Sequence, residues 1–123
     1  MTFTVSRGYT FAGVAARVFS TQETSTVPFF RLLTPPNRNH FYTISTAERD
    51  LFLANGFIDQ GISSYIYPSQ ICGSIPLYQI FQSATTQHFY TISSTERDTM
   101  LASGGWTDEG VAGYVLDLND SCA

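Results

Sequence analysis

The sequence predicts an α+β fold built from β-β-α-β units, and its internal repetition is the main reason. A block of roughly fifty residues occurs twice, at 27–68 and 75–117, and each block contains strand-like runs and one helix-like run. The stretch GYTFAGVAARVFS at 8–20 aligns with GWTDEGVAGYVLD at the end of the second block. We therefore predict a pseudo-repeat of two full copies plus an N-terminal half-copy, sharing one core because such short units rarely bury enough apolar area alone.

The length of 123 residues suits a single domain with a hydrophobic core. Within this domain, residues 1–25 form the degenerate half-repeat, residues 26–71 the first repeat and residues 72–123 the second. We call these two full repeats the first copy and the second copy.

Each copy opens with a strand-like run that begins near a proline, PFFRLL or PLYQIF, and proline is tolerated where a strand starts. A turn-rich loop follows, and then the identical segment HFYTIS at 40–45 and 88–93, which has strand composition. Alternation along a strand places His40, Tyr42 and Ile44 on one face, with Phe41 and Thr43 on the other.

A short helix is predicted after each HFYTIS segment. Ser45 and Glu48 fit a capping box, in which the glutamate side chain returns to the backbone amide of the cap residue, and the second copy repeats this pattern. The helices should cover 46–55 and 94–103, with Gly56 and its counterpart Gly104 as left-handed stops. Their buried sides are expected from Phe-Leu-Ala at 52–54 and Met-Leu-Ala at 100–102.

Composition excludes several classes of function. The net charge is −4, and the six basic residues are all arginines, too few and too scattered for a nucleic-acid surface. No apolar run approaches membrane-spanning length, so membrane insertion is not expected. The N-terminus lacks the pattern of a signal peptide, which leaves an extracellular or a cytoplasmic location open, with secretion slightly favoured. Cys72 and Cys122 are either a disulfide or two free thiols.

The HFYT and ERD blocks, followed by the pattern (F/W)xxxG(I/V)xxY, resemble a repeat of unknown function found mostly in secreted bacterial proteins and in fungi. The resemblance covers nearly all of 27–117 and extends to some small mushroom lectins. It implies attachment to a polysaccharide or cell surface rather than catalysis, and the lectin likeness implies a galactose-type ligand. The half-copy lacks both blocks, so the resemblance does not extend to a site there.

Sugar-binding sites combine a flat aromatic face with a few fixed polar groups. Trp106, with Asp108 and Glu109, matches that description, in a predicted loop between the helix and the final strand of the second copy. The alternative is that Trp106 anchors the core and that Asp108 and its counterpart Asp59 bond turn amides.

His40 and His88 occupy identical positions at the start of a strand, where an imidazole can bind a sugar hydroxyl or a backbone carbonyl. Tyr42 and Tyr90 share the strand face of the histidines. The repeated Glu-Arg-Asp triplet is explained better by capping and local ion pairs than by chemistry. The complete set of candidate carbohydrate-binding residues is Asn37, Arg38, Asn39, His40, Tyr42, Asp59, His88, Tyr90, Trp106, Asp108, Glu109 and Tyr114.

We expect a non-enzymatic module that binds neutral, galactose-type glycans on glycoproteins, glycolipids or polysaccharide. No nucleophile elbow, zinc motif or phosphate loop occurs, so neither a cofactor nor a metal is expected. Alternatives are a protein-binding module, such as a protease inhibitor or a defence protein, and a small glycoside hydrolase that draws carboxylates from both copies. Whether the protein forms a homodimer also stays open.

Overall fold

A computed structural model describes residues 5–6, 10–11, 14–15, 18–34, 39–71 and 73–116 of the chain. Over these residues the fold is α+β, with two helices and antiparallel strands. The elements are β1 (Val5–Ser6), β2 (Thr10–Phe11), β3 (Val14–Ala15), β4 (Val18–Phe19), β5 (Val27–Thr34), β6 (Asn39–Thr43), α1 (Thr46–Ala54), β7 (Ile58–Ile66), β8 (Ile75–Gln82), β9 (Gln87–Thr91), α2 (Ser94–Ala102) and β10 (Trp106–Val115).

The strands form two main sheets, and each main sheet contains one copy of the same three-strand pattern. In the five-stranded sheet the order is β1-β4-β7-β5-β6, so β5 lies between β6 and β7. In the three-stranded sheet β8 lies between β9 and β10, and β2 pairs with β3 separately. The central strands carry fully buried side chains, among them Phe29 and Leu32 on β5 and Leu77 and Ile80 on β8. Burial of these apolar side chains stabilises the packing of both main sheets around the core.

The core draws on residues that align with one another in the sequence. Val18, Ile66 and Val115 align, and all three are buried in one cluster. Pairs of aligned residues from the two copies complete this cluster. The pairs are Phe29 with Leu77 and Tyr42 with Tyr90.

A second core cluster is formed by the residues that directly follow the three aligned residues Val18, Ile66 and Val115. It contains Phe19, Tyr67 and Leu116, which again align with one another. The backbones follow the same scheme: Phe19 pairs with Tyr65 of β7, and Tyr67 pairs with Tyr114 of β10.

Both helices begin at the predicted serines, but the capping arrangement differs from the expected box. Ser45 Oγ accepts from the Glu48 amide at 3.1 Å, as a cap residue should. The Glu48 carboxylate does not return to the Ser45 amide; it accepts from Thr43 Oγ1 at 2.6 Å, and Thr43 Oγ1 accepts from the Ser45 amide at 3.0 Å. The Thr91, Ser93 and Glu96 side chains repeat this relay in the second copy.

The helices end one residue earlier than predicted, at Ala54 and Ala102. Gly56 and Gly104 have the predicted left-handed backbone, with φ of +97° and +87°. The expected buried side is wrong: neither helix has a buried residue, and Ala54 and Ala102 are exposed. The helices are too short and too near the surface for their apolar triplets to enter the core.

The last strand of each copy is long, with nine residues in β7 and ten in β10. Trp106 is the first residue of β10 and not part of a loop, which corrects the sequence-based placement. The chain stays extended through the turn-forming residues because a bulge absorbs Gly61 in β7 and Gly110 in β10, where φ is +82° and +86°.

Two further features complete the fold. Neither helix in the described ranges has the length and apolar character needed to cross a membrane. Cys72 and Cys122 lie outside the described residues.

Candidate functional site

A pocket of about 420 Å³ lies where the five-stranded sheet and α1 meet the three-stranded sheet. We call it the Glu109 pocket. The first copy contributes one wall from β6 and α1, and the second copy contributes the facing wall from β8, β9 and β10. The first wall includes Phe41, Tyr42, Thr43, Glu48 and Phe52, and the second includes Gln79, His88, Glu109 and Val111.

Glu109 is the polar centre of the second wall. Its Oε1 accepts from Gln79 Nε2 at 2.7 Å and lies 3.3 Å from His88 Nε2. The Glu109 side chain is one-third exposed, whereas Gln79 and the His88 side chain are each only 9% exposed. The Gln79 amide therefore fixes a carboxylate that remains accessible from the pocket, with the His88 imidazole beside it.

His88 is held in an apolar setting. Its ring lies 4.7 Å from that of Phe41 and 4.8 Å from that of Phe81, between centroids. Burial lowers the pKa of His88 from 6.5 to about 4, and the Glu48 charge offsets only part of that effect. The imidazole is therefore neutral at pH 7, and its contact with Glu109 is not an ion pair.

The tautomer of His88 follows from its neighbour. We assign the proton of the neutral ring to Nε2, because Nε2 faces Glu109 at 3.3 Å and a carboxylate only accepts hydrogen bonds. Nδ1 is then an acceptor, and it is buried with no hydrogen-bond partner in the described structure.

The bulge in β10 sets the position of Glu109. Asp108 Oδ1 accepts from the Gly110 amide at 2.9 Å, which closes a turn around Glu109 within an otherwise extended strand. Asp59 and Gly61 form the same turn in β7 at 2.8 Å, with Gln60 in place of the glutamate.

The opposite wall carries the helix cap described above. Glu48 points its carboxylate at Thr43 and lines the pocket at the same time. Glu48 is therefore both a structural residue and a pocket residue, a combination that the capping interpretation of the sequence does not include.

A second, mostly apolar cavity of about 290 Å³ adjoins the first, and we call it the aromatic pocket. Its walls include the rings of Phe52, Phe57 and Phe81, and it shares Phe52, His88 and Glu109 with the Glu109 pocket. Phe52 and Phe57 are stacked, with 4.9 Å between their centroids.

Three of the predicted binding residues meet in the Glu109 pocket: Tyr42, His88 and Glu109. They come from strands of both copies, so no local sequence pattern joins them. Tyr42 is buried, and its ring packs on Phe29 and Tyr90.

The predicted aromatic and aspartate candidates lie elsewhere. Trp106 is half-buried and packs edge-on to Phe89, with 6.1 Å between centroids. Asp108 and Asp59 are exposed, and each accepts a hydrogen bond from the glycine amide of its bulge. This is the alternative interpretation given above, in which the two aspartates bond turn amides. Tyr90 is a core residue.

Three of the remaining candidates, Asn39, His40 and Tyr114, are also separate from the pocket. His40 is exposed, and its ring lies 6.2 Å from that of Tyr42. Asn39 donates to the Thr85 carbonyl at 3.0 Å, and Tyr114 packs on the second core cluster. Asn37 and Arg38 lie outside the described residues.

Gln79 and the phenylalanines of the pocket are absent from the sequence-based set. One signal for Gln79 exists: the first copy has Arg31 where the second has Gln79, and Gln60 where the second has Glu109. The hydrogen-bonded Gln79–Glu109 pair therefore falls on positions that differ between the copies. Across the described ranges, no group of three or more His, Cys, Asp or Glu side chains could hold a metal ion.

These features define a small α+β protein with a polar pocket between two antiparallel sheets. Residues 1–116 match the family model described as Domain of unknown function (DUF5648), and the chain therefore belongs to that family. No curated protein and no solved structure matches the chain.

Proposed function

We propose that this protein is a carbohydrate-binding module that holds a neutral sugar in the Glu109 pocket without catalysing a reaction. The observation that carries the proposal is the pairing of a fixed, accessible carboxylate with aromatic rings in one pocket. The volume of about 420 Å³ suits a monosaccharide unit. Because the ligand is a sugar on a larger glycan, its natural carriers are glycoproteins, glycolipids or polysaccharide.

The polar groups of the pocket suit sugar hydroxyls. A carboxylate offers about four acceptor positions, and Glu109 uses Oε1 for the Gln79 amide. The rest of its capacity is available to hydroxyl donors of a ligand. Since Gln79 holds the carboxylate in place, little side-chain entropy is lost when the ligand binds.

The apolar groups suit the carbon face of a pyranose ring. Phe52 is half-buried and contributes aromatic surface to the first wall, and the buried ring of Phe41 packs edge-to-face against it at 4.7 Å between centroids. Val111 is 44% exposed on the second wall and adds aliphatic surface.

The charge of the pocket favours neutral over acidic sugars. Glu48 and Glu109 both line it, and among the described residues of its lining there is no arginine. A carboxylate or sulfate on the ligand would meet two like charges in a partly desolvated site.

The aligned core residues support the repeat architecture that underlies this proposal. The order β-β-α-β occurs twice, and residues that align in the copies and the half-copy pack together in two core clusters. We infer two full repeats and an N-terminal half-repeat sharing one core. The Glu109 pocket forms where the two full repeats meet, and the resemblance to small mushroom lectins suggests a galactose-type ligand.

A glycan array, followed by isothermal titration with the best monosaccharide, tests the proposal. Glu109→Gln keeps the shape and removes the accepting carboxylate, so we expect at least a tenfold loss of affinity. Asp98→Asn is the matched control, because it removes one carboxylate from an exposed site on α2. A folded protein that binds no glycan would contradict the proposal.

A second candidate function is glycoside hydrolysis, because one specific observation favours it. Glu48 of the first copy and Glu109 of the second line the same pocket, as a pair of catalytic carboxylates must. Turnover of aryl glycosides by the wild type, and its loss in both Glu109→Gln and Glu48→Gln, would establish this function. Binding without turnover favours the carbohydrate-binding module.

A further inference from the structure

Two residues that line the aromatic pocket each carry a buried polar atom that makes no hydrogen bond within the described part of the chain. Thr34 Oγ1 on β5 and His88 Nδ1 on β9 have no partner within the described structure, and both residues line this pocket. Thr34 is 8% exposed and the His88 side chain 9%. Buried polar groups are nearly always paired in folded proteins, so two unpaired atoms on one apolar cavity indicate a place for a ligand group.

The two atoms differ in what they offer. The Thr34 hydroxyl can donate, whereas His88 Nδ1 accepts because the ring carries its proton on the side of Glu109. The rest of the wall includes Phe52, Phe57 and Phe81 together with Thr86 and Glu109. A group that satisfies this surface needs one acceptor, one donor and a small apolar end.

We propose that the aromatic pocket binds the acetamido group of an N-acetylated amino sugar. The carbonyl oxygen of that group accepts from the Thr34 hydroxyl, and its N–H donates to His88 Nδ1. Its methyl group packs on the aromatic rings. A purely apolar group would leave both polar atoms unpaired, and a hydroxyl would leave the aromatic surface in contact with water.

This inference rests on the proposed function and names its ligand class. The two pockets share Phe52, His88 and Glu109, so a pyranose ring in the Glu109 pocket can extend a substituent into the aromatic pocket. Thr34 Oγ1 and His88 Nδ1 expose almost no surface. In the proposed complex both side chains therefore rotate towards the acetamido group.

Isothermal titration with matched pairs of sugars tests the inference. The pairs are the methyl glycosides of N-acetylgalactosamine and galactose, and of N-acetylglucosamine and glucose. We expect at least one acetylated sugar to bind tenfold or more tightly than its parent, because two hydrogen bonds and a methyl contact are added.

Thr34→Val tests the geometry, since it removes only the hydroxyl. The ratio of the two affinities should fall about threefold or more, while Thr99→Val, at an exposed position on α2, should leave it unchanged. Thermal unfolding of both variants shows whether they are folded.

The outcomes separate this inference from the proposed function. Equal affinity for acetylated and parent sugars would overturn the acetamido site and leave the carbohydrate-binding module intact. Tighter binding of hexyl or phenyl glycosides than of acetylated sugars would also overturn it, in favour of an apolar subsite. If no sugar binds, both proposals are wrong.

Discussion

The hydroxyl of Tyr90 bonds the backbone of Tyr42, the residue that aligns with it in the other copy. It accepts from the Tyr42 amide at 2.8 Å and donates to the Tyr42 carbonyl at 3.4 Å. The two rings also pack edge-to-face, with 5.4 Å between centroids. This contact fixes β6 against β9, and therefore fixes the distance between the two walls of the Glu109 pocket.

Tyr90→Phe should lower the free energy of unfolding by about 1–3 kcal/mol, because it leaves the buried Tyr42 amide without its acceptor. Urea denaturation measures the effect. Tyr78→Phe is the control: Tyr78 is half-buried, and its ring under the Arg97 guanidinium is retained. Equal stability of Tyr90→Phe and the wild type would contradict this role.

Thr91→Val should destabilise the protein by about 1 kcal/mol, because the Thr91 hydroxyl links the Ser93 amide to the Glu96 carboxylate. Thr43→Val should have a similar effect in the first copy. The comparison variant Thr99→Val changes the same side chain on the exposed face of α2 and should stay within about 0.5 kcal/mol of the wild type. If the glutamate bonded the cap amide directly, as in a capping box, Thr43→Val and Thr91→Val would both have little effect on stability. That result would contradict the role of the two threonine hydroxyls.

Gly113→Ala should destabilise the protein by about 1–3 kcal/mol, because a methyl group at this position overlaps Ile66 Cδ1. Ile66→Val removes that carbon and should partly rescue the alanine variant. The double variant is then less destabilised than the sum of the single variants, by about 1 kcal/mol in a double-mutant cycle. Strict additivity would show that Gly113 is needed for another reason.

His88 should make stability depend on pH. Its pKa is lowered by burial to about 4, whereas an unfolded chain takes up this proton near 6.5. Between these values the unfolded state binds more protons, so the free energy of unfolding falls as the pH drops from 6.5 towards 4. The contribution is full above about pH 6.5, and its loss amounts to about 3 kcal/mol at most.

Chemical denaturation at several pH values, compared between the wild type and His88→Gln, measures this contribution. The variant should lose less stability than the wild type on acidification, because glutamine does not titrate. His40→Gln, at the exposed aligned position, is the control for removing a histidine as such. Parallel pH profiles for the wild type and His88→Gln would contradict the prediction.

Local structure was largely predictable from the sequence. The serine caps and the glycine stops depend on residues that are close in the chain, and the helices begin and nearly end where those residues place them. The errors also have local causes. The Trp106 loop became a strand because a bulge at Gly110 keeps the chain extended, and Thr43 replaced the Ser45 amide as the partner of Glu48.

The candidate site was only partly predictable, because its walls come from different copies. The sequence by itself determined the paired β-β-α-β order and included Tyr42, His88 and Glu109 in a larger set of twelve binding candidates. Only the tertiary structure decided that these three side chains line one pocket, that Gln79 fixes Glu109, and that Trp106 lies elsewhere. The physical reason is that hydrogen bonding along the chain sets local elements, whereas burial of aligned core residues decides which strands of the two copies face each other.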